Sequence, residues 1–308
     1  MTTKEQNKSS LNKKIDWANI DKNKLRSLLE NSLEEEVGTD FLSTPIKGDI
    51  TTHSCDLEGK SKAKLIARTD TVCCGIKIAQ LIFDTFATKS LTFVPQCKDG
   101  DLVSKFGEIA RIEGLSDEIL LVERTLLNFI QKLSGIATYS STLVKIIEPY
   151  EVILLDTRKT TPGYRELEKY ATSCGGSANH RMGLHDRILI KDNHLAAKKI
   201  DNVTKFKNFV RSIRKSNPTT FIEVEVDSIE FALSLSSECV NAVLLDNFDP
   251  TQVSHVIKYL DKDIITEVSG GISFNNIESY AACRPDFIST GAPTHMSTWS
   301  DIGLDWYN

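Results

Sequence analysis

FIEVEVD at residues 221–227, AVLLDN at 242–247 and IITEVSGG at 264–271 are short apolar runs that each end in polar or glycine residues. Three further runs share this pattern: VILLDTRK at 152–159, RILIKD at 187–192 and DFISTGA at 286–292. Runs of this length are too short for helices and suit parallel strands that are buried on both faces. The segments between them leave room for one helix and two loops, so the sequence predicts a series of strand–helix units.

Six strand–helix units indicate an incomplete α/β barrel of the TIM type, because a complete barrel has eight. The segments between the runs supply the helices; for example, Val253, Val256 and Leu260 are spaced as one apolar helix face. An open, doubly wound sheet is the structural alternative. In α/β barrels the active site is built at the carboxyl ends of the strands, where the polar residues of these runs fall.

The N-terminal third has a different pattern and predicts a separate small α/β domain. We place this domain at residues 1–120 and the barrel domain at 121–292, with residues 1–16 as a flexible tail. One helix is expected to begin after Asp21 and to end at Gly38. A second, long helix of about 25 residues is expected to begin between Ser116 and Val122, and Gly135 within it permits a kink or close packing.

Composition excludes several classes of protein. The chain has 308 residues and a formal net charge of −5, which argues against a nucleic-acid-binding protein. Its sequence contains no apolar run near the roughly 20 residues that span a bilayer, and its polar N-terminus does not resemble a secretory signal. The seven cysteines form no C-x-x-C pair, so we expect reduced thiols, a cytoplasmic location and no zinc site.

Two glycine-containing loops predict a phosphate site. Ser269-Gly270-Gly271 and Thr290-Gly291-Ala292 follow the last two predicted strands. Glycines let backbone N–H groups approach a phosphate closely, and the loops after the last strands of such barrels often bind one. The alternative is that these glycines only form turns.

Glu225 and Asp246 end adjacent predicted strands and are candidate ligands of one Mg²⁺ ion, which commonly takes one or two protein carboxylates together with substrate phosphates. Glu223 lies two residues before Glu225, so both should point to the same side of a regular strand. One of these two glutamates is also a candidate ion-pair partner for a pocket lysine.

A basic set faces these carboxylates and comprises Arg158, Lys159, Arg181 and Lys191. Arginine binds carboxylates through two hydrogen bonds, and lysine acts as a point charge. The predicted site therefore suits a substrate rich in carboxylate and phosphate; the alternative is that these charges pair with one another. The sequence contains no Ser/His/Asp or Cys/His nucleophile pattern, and His53, His185, His255 and His295 are interpreted as structural or surface residues.

Several motifs in order resemble one enzyme family. They are ERTLLN at 123–128, LSGIAT at 133–138, DTRKTTPG at 156–163, ANHR at 178–181, LIKDNH at 189–194, EVEV at 223–226, LDNF at 245–248 and SGG at 269–271. This series is similar to quinolinate phosphoribosyltransferase, also called nicotinate-nucleotide pyrophosphorylase (carboxylating). The resemblance runs from about residue 48 to the C-terminus.

The resemblance implies transfer of phosphoribose from phosphoribosyl pyrophosphate (PRPP) to quinolinate in de novo NAD synthesis. The products would be nicotinate mononucleotide, pyrophosphate and CO₂. It also implies an N-terminal α/β-sandwich domain that is completed by residues 293–308, beside the incomplete barrel.

The resemblance further assigns roles to individual residues. A homodimer is implied, in which Arg124 enters the neighbouring subunit's site. The quinolinate pocket would be lined by Thr157, Arg158, Lys159, His180, Arg181 and Lys191. Glu225 and Asp246 would serve Mg²⁺ and the ribose hydroxyls, and Ser269, Gly270, Gly271 and Gly291 would bind phosphate. Lys159, Lys191, Glu225 and Asp246 are the expected catalytic residues.

Three other functions compete with this one. The first is a phosphoribosyltransferase of the same architecture with a different anionic acceptor. The second is a lyase that forms a Schiff base at Lys191. The third is a nucleotide sensor without turnover. Quinolinate-dependent release of CO₂ would distinguish them.

Overall fold

The computed structural model describes residues 3–41, 43–57, 59–86 and 91–307. The chain forms two compact units. The sheet unit comprises Ile15–Ser141, Glu166–Gly176 and Ser297–Asn308, and the barrel unit comprises Met1–Lys14, Thr142–Arg165 and Ser177–Met296. These units follow the predicted domains only in outline, because the N-terminal segment lies with the barrel and residues 166–176 lie with the sheet.

The helices and strands have the following bounds. The helices are α1 (Thr3–Leu11), α2 (Lys22–Val37), α3 (Pro45–Gly48), α4 (Ile50–Cys55), α5 (Ile76–Phe86), α6 (Ser116–Ile147), α7 (Arg165–Cys174), α8 (Asp192–Ala197), α9 (Val203–Ser216), α10 (Ile229–Leu233), α11 (Pro250–Tyr259), α12 (Ile277–Ala281) and α13 (Ala292–His295). The strands are β1 (Lys60–Ala67), β2 (Thr71–Val72), β3 (Thr92–Pro95), β4 (Leu102–Val103), β5 (Glu108–Leu115), β6 (Ile153–Leu155), β7 (Ile188–Ile190), β8 (Ile222–Val226), β9 (Ala242–Asp246), β10 (Ile265–Ser269), β11 (Phe287–Ser289) and β12 (Ile302–Tyr307).

The sheet unit is built on a four-stranded antiparallel sheet with the order β12-β1-β5-β3. The C-terminal strand β12 pairs with β1 from Lys62 opposite Tyr307 to Ala67 opposite Ile302, as the resemblance implies. Helix α2 begins where the sequence predicts, because the Asp21 side chain accepts hydrogen bonds from two backbone N–H groups of its first turn. It ends at Gly38, whose φ of +82° an L side chain rarely adopts.

Helix α6 has 32 residues and is about 48 Å long at the usual rise per residue. It is longer than the roughly 25 residues that the apolar spacing alone supports, because it begins directly at the end of β5. Gly135 serves close packing: a Cβ atom there would lie 2.1 Å from the carbonyl oxygen of Thr298. Only glycine therefore allows the segment after Met296 to cross α6 at this point.

The barrel unit contains six parallel strands in the order β6-β11-β10-β9-β8-β7. The first strand, β6, pairs with the last, β11, and an isolated parallel bridge joins Leu155 to Ala178. Pairing of the first strand with the last curls the sheet into a barrel. Within the described residues β6 and β7 do not pair, so this barrel stays open. From β11 to β8 each strand lies beside the strand that precedes it in the chain, without a reversal of direction. A doubly wound sheet would reverse its strand order, so the arrangement confirms the predicted incomplete barrel and rules out that alternative.

The barrel interior is apolar at the amino ends of the strands. Alternate residues of each strand point inward. One apolar cluster includes Ala242, Ile265 and Phe287, the first residues of β9, β10 and β11. Its other members are Leu11, Leu155 and Ala178, with Ile153 and Phe221 packed against it. Polar side chains occupy the opposite, carboxyl end. The chemistry of this unit is thus confined to one end of the barrel.

Residues 3–14 differ from the predicted flexible tail. They form α1 and a following turn, and Leu11 is 2% exposed within the apolar cluster of the barrel. Lys4 lies 2.9 Å and Lys8 3.5 Å from the Asp286 carboxylate. The Lys13 carbonyl accepts a hydrogen bond of 2.7 Å from the Asn179 N–H. The segment therefore covers the amino end of the barrel; Met1 and Thr2 lie outside the described residues.

Leu11→Ala is expected to lower the free energy of unfolding by about 2–5 kcal/mol, as usual for a buried leucine. Asn12→Ala, at the exposed neighbouring position, is the control and should change it by less than about 0.5 kcal/mol. Urea unfolding measures both. Equal stability of the two variants would mean that residues 3–14 do not pack on the barrel.

Candidate active site

The carboxyl ends of neighbouring strands bring the predicted acidic residues together. Ser269 of β10 lies directly beside Asp246 of β9, and Glu225 of β8 lies beside Leu244 of β9. The Glu225 carboxylate forms an ion pair with the Lys191 ammonium group. Burial raises the pKa of Glu225, and the nearby Asp246 charge raises it further. Glu225 and Asp246 therefore repel each other and attract a cation.

The donor set at this point fits Mg²⁺. Both side chains offer carboxylate oxygens, which are hard ligands, and both keep some exposure to solvent. Within the described residues, one Asp246 oxygen accepts a hydrogen bond of 2.8 Å from the Asn247 side-chain amide. Two protein carboxylates at an open strand end leave positions for water and substrate phosphate oxygens, which is the ligand arrangement that Mg²⁺ favours.

The loop after β10 depends on its two glycines. Gly270 has a φ of +101° and Gly271 a φ of +60°. A Cβ atom at Gly270 would lie 2.3 Å from the Asn247 side-chain oxygen, whereas one at Gly271 would meet no atom within 4 Å. Gly270 is thus required by close packing on the neighbouring loop, and Gly271 leaves open space beside the backbone, as a phosphate requires.

The loop after β11 lies against the loop after β6. The Thr294 hydroxyl donates a hydrogen bond of 2.9 Å to the Lys159 carbonyl. A Cβ atom at Gly291 would lie 2.9 Å from His295 Nε2 and 3.3 Å from the Thr157 hydroxyl. Thr157, Lys159, Gly291 and the His295 ring therefore line one corner of the barrel mouth.

Three arginine side chains gather beside these loops. Arg181 is 5% and Arg187 is 9% exposed. Among the described residues, Arg158 Nε, Arg181 Nε and Arg187 Nη2 are buried donors without a hydrogen-bond acceptor. Burial lowers the pKa of Arg181, and the positive charges of Arg158 and Arg187 lower it further. Buried cationic donors that lack an acceptor favour an anionic ligand with several oxygens.

Arg165 fixes the loop that carries Arg158. Its guanidinium donates to the Thr160 hydroxyl at 3.1 Å, to the Met182 carbonyl at 3.1 Å and to the Arg158 carbonyl at 3.5 Å. It thereby connects the loop after β6 with the residue that follows Arg181. This crosslink holds two of the three arginines at a defined separation.

Asp156 fixes the backbone before Arg181. This carboxylate is 2% exposed and accepts hydrogen bonds from the His180 N–H at 2.8 Å and from the Asn179 side chain at 2.6 Å. His180 Nδ1 accepts a bond of 2.9 Å from the Arg181 N–H. Nδ1 is therefore the unprotonated ring nitrogen, and Nε2 carries the hydrogen of the neutral ring.

Comparison with known proteins agrees with this geometry. Residues 49–134 match the N-terminal domain and residues 136–305 the C-terminal domain of the quinolinate phosphoribosyl transferase family. The chain belongs to the quinolinate phosphoribosyl transferase family.

Individual quinolinate phosphoribosyl transferase relatives cover nearly the whole chain. It is 34% identical over 285 residues to a probable nicotinate-nucleotide pyrophosphorylase [carboxylating] of Bacillus subtilis (strain 168), covering 91% of this chain and 93% of that protein. It is 35% identical over 262 residues to the nicotinate-nucleotide pyrophosphorylase [carboxylating] of Mycobacterium leprae (strain TN), covering 83% and 90%. The solved nicotinate-nucleotide pyrophosphorylase of Francisella tularensis superposes with a TM-score of 0.84 at 33% identity, covering 94% of this chain and 98% of that one.

The residues that the quinolinate phosphoribosyl transferase resemblance assigns to the barrel lie at its carboxyl end, and most belong to the groups described above. Arg124 is the exception, because it lies on the exposed side of α6 within the sheet unit. In the part of the chain that the structure describes, no helix is both long enough and apolar enough to span a membrane. All seven cysteines are free thiols.

Four residues of the site were missed by sequence analysis. Arg165, Arg187, Glu267 and His295 all contact residues at the barrel mouth or directly beneath it. Arg187 is the first residue of the run RILIKD, and Glu267 lies inside the run IITEVSGG. A charged residue within an apolar run is the only sign in the sequence that either belongs to the site. Charged residues inside otherwise apolar strands are therefore good candidates for site residues, because charged side chains are rarely buried without a partner.

Arg158→Ala and Arg181→Ala are each expected to weaken quinolinate binding by about 10–150-fold, because a lost charged hydrogen bond costs roughly 1.5–3 kcal/mol. Arg211→Ala, which removes an exposed arginine of α9 in the same unit, should leave binding unchanged. Titration calorimetry gives all three affinities. Wild-type affinity in both site variants would remove these arginines from the pocket.

Proposed function

We propose that this protein transfers phosphoribose from PRPP to quinolinate and releases the 2-carboxylate as CO₂, giving nicotinate mononucleotide and pyrophosphate. The observation that carries this proposal is the group of three arginines with buried, unsatisfied donors. Quinolinate has two adjacent carboxylates, which supply the several acceptor oxygens that these donors lack. The names of the two curated relatives, nicotinate-nucleotide pyrophosphorylase [carboxylating], support the same reaction.

The two substrates occupy different parts of the barrel mouth in this proposal. Quinolinate binds against Arg158 and Arg181, with Thr157, Lys159, His180 and Lys191 completing the pocket. The PRPP phosphate lies in the loops formed by Ser269, Gly270, Gly271 and Gly291. Glu225 and Asp246 would hold Mg²⁺ and contact the ribose hydroxyls. When bound, Mg²⁺ would neutralise the negative charge of the pyrophosphate group.

The chemistry requires positioning more than an activated side chain. The pyridine nitrogen of quinolinate is itself the nucleophile and attacks the ribose carbon as pyrophosphate leaves. A nearby carboxylate, Glu225 or Asp246, stabilises the positive charge that develops on the ribose. After transfer the ring nitrogen is cationic and stabilises the carbanion left when CO₂ departs, and this carbanion takes up a proton from solvent to give nicotinate mononucleotide. Lys159 and Lys191 orient the anionic groups and keep the pyridine nitrogen aligned with the ribose carbon.

Release of labelled CO₂ from carboxyl-labelled quinolinate tests the function. Release that depends on both PRPP and Mg²⁺ supports the proposal. Turnover of nicotinate in place of quinolinate would identify a different acceptor, and quinolinate binding without turnover would identify a sensor. Trapping of a carbonyl substrate on Lys191 by borohydride would identify a lyase; the ion pair with Glu225 argues against it, because a Schiff base needs the free amine.

Glu225→Ala and Asp246→Ala are expected to raise the KM for PRPP in the presence of Mg²⁺ more than the Kd for quinolinate. Both variants remove a carboxylate from the strand ends that carry the glycine loops. Asp263→Ala, at the exposed amino end of β10, removes a similar charge far from the site and serves as the control. A defect confined to quinolinate binding would overturn this assignment.

The active assembly is a cytoplasmic homodimer in this proposal, with Arg124 entering the neighbouring subunit's site. Arg124→Ala and Lys159→Ala should then each be nearly inactive as homodimers. In a mixed dimer both changes fall into one site, and the other site is intact.

Refolding an equimolar mixture of the two variants should restore about a quarter of wild-type activity, because about half of the dimers are mixed and each has one intact site. Each variant refolded alone is the control. Absence of recovery, with mixed dimers confirmed by differently tagged subunits, would mean that Arg124 acts within its own chain.

A further inference from the structure

A buried carboxyl group lies beneath the arginine cluster and takes no part in the mechanism above. Glu267 on β10 is 0% exposed, as is Glu223 on β8. Within the described residues, neither oxygen of Glu267 has a hydrogen-bond donor with good geometry. His180 Nε2 lies 3.4 Å from a Glu267 oxygen and 3.7 Å from a Glu223 oxygen.

The surroundings of Glu267 favour its neutral acid form. A carboxylate in a fully buried position without hydrogen-bond donors is strongly destabilised. Glu223 faces it and disfavours ionisation, whereas Arg187 and the Ser289 hydroxyl on the next strand favour ionisation. The His180 ring also faces it. Burial raises the pKa of Glu267 well above its usual range, and the Glu223 charge adds to this increase.

Glu223 is the member of this pair that contacts an arginine. Its carboxylate accepts a hydrogen bond of 3.1 Å from Arg187 Nε, which forms a buried ion pair. The two glutamates therefore differ in role although both point into the barrel. Glu223 neutralises an arginine, whereas Glu267 faces the imidazole.

Four residues, Arg181, Arg187, Glu223 and His180, form a closed ring of contacts through side-chain and backbone atoms. Arg187 binds Glu223, Glu223 faces His180 Nε2, His180 Nδ1 accepts from the Arg181 N–H, and Arg181 Nη1 donates to the Arg187 carbonyl at 3.3 Å. Glu267 is attached to this ring at His180. Movement of the imidazole would therefore move the backbone of Arg181.

The positions of His180, Glu223 and Glu267 resemble a metal site, because one ligand atom from each lies within 4.8 Å of the others. The hydrogen bond at Nδ1 argues against this. A metal at Nε2 would require the ring hydrogen to sit on Nδ1, where the Arg181 N–H already donates. The imidazole therefore directs its Nε2–H toward the two carboxyl groups, at contact distances of 3.7 Å and 3.4 Å.

We infer that Glu267, in its neutral acid form, is a positioning residue of the quinolinate pocket that holds His180 and thereby Arg181 in place without adding a negative charge among the arginines. This inference rests on the proposed function. An ionised Glu267 would add a second carboxylate charge beside Glu223 and would compete with a bound anion for Arg187. A neutral one adds no charge there and still packs against the His180 Nε2–H at 3.4 Å.

Glu267→Leu and Glu267→Gln test this inference together. Leucine removes the acceptor and should raise the Kd and KM for quinolinate by at least about tenfold, with little change in the KM for PRPP. Glutamine keeps a neutral carbonyl acceptor of the same shape and should restore quinolinate affinity to within about threefold of wild type. Glu238→Leu removes an exposed glutamate of the same unit and controls for charge loss alone.

Infrared spectroscopy gives a second readout that a merely structural role would not affect. The wild-type protein at neutral pH should show the carbonyl stretching band of a protonated carboxyl group, and Glu267→Gln should lack it. This measurement remains informative if Glu267→Leu does not fold. A missing band in the wild type, or glutamine as damaging as leucine in folded protein, overturns the inference.

Failure of the proposed function has a different signature. In that case the wild-type protein itself would neither bind nor turn over quinolinate. Failure of the inference alone leaves wild-type turnover intact, and Glu267→Leu then binds quinolinate as tightly as the wild type or Glu267→Gln gives no rescue.

Discussion

The burial of three arginine side chains at one end of the barrel is the constraint on which the other features of the site depend. Taking a guanidinium group out of water is costly unless carboxylates or carbonyls replace the lost hydrogen bonds. The protein satisfies these groups only in part: Glu223 pairs with Arg187, and the Arg187 carbonyl accepts from Arg181. The donors that remain unsatisfied are a binding site for an anion, and their cost to stability is offset when the anion binds.

This constraint explains why several hydrogen bonds fix the backbone of the loops that carry the arginines. Arg165 joins the loop after β6 to the segment that carries Arg181. Asp156 holds that segment from one side and His180 from the other. Even the N-terminal segment takes part, because the Lys13 carbonyl accepts from the Asn179 N–H, next to His180. Like charges held close together repel, so they keep their positions only if the backbone around them is tied at several points.

The sequence predicts the outline of this arrangement well. Each of the six apolar runs contains a strand of the barrel, and Glu225, Asp246 and Ser269 lie at strand ends as expected. Runs of buried residues and glycine loops are local signals, so one sequence is enough to recognise them. The quinolinate phosphoribosyl transferase motifs add the identity of the substrates, which no local pattern contains.

Other features could not be predicted because they depend on contacts between distant residues. Leu11 is a single apolar residue in a polar segment, and its burial follows from the open amino end of the barrel. The pairing of Arg187 with Glu223 requires β7 to lie beside β8, with Leu189 opposite Glu223. The raised pKa of Glu267 depends on the depth of its position and on the proximity of Glu223. Strand order and register determine each of these, and neither can be read from one segment.

Because side chains on one face of a strand recur every two residues, each of these strands places one residue deep in the barrel and one at its rim. On β8, Glu223 and Glu225 both point inward, and the deeper residue is fully buried beside an arginine while the outer one pairs with Lys191. On β10, Glu267 lies deep and Ser269 lies at the rim in the same way. In the proposed function, the deeper positions shape the wall behind quinolinate, and the outer positions face PRPP and Mg²⁺. If the proposed function holds, a substitution at Glu223 or Glu267, two residues before the rim of the same strand, is expected to affect quinolinate binding more than PRPP binding.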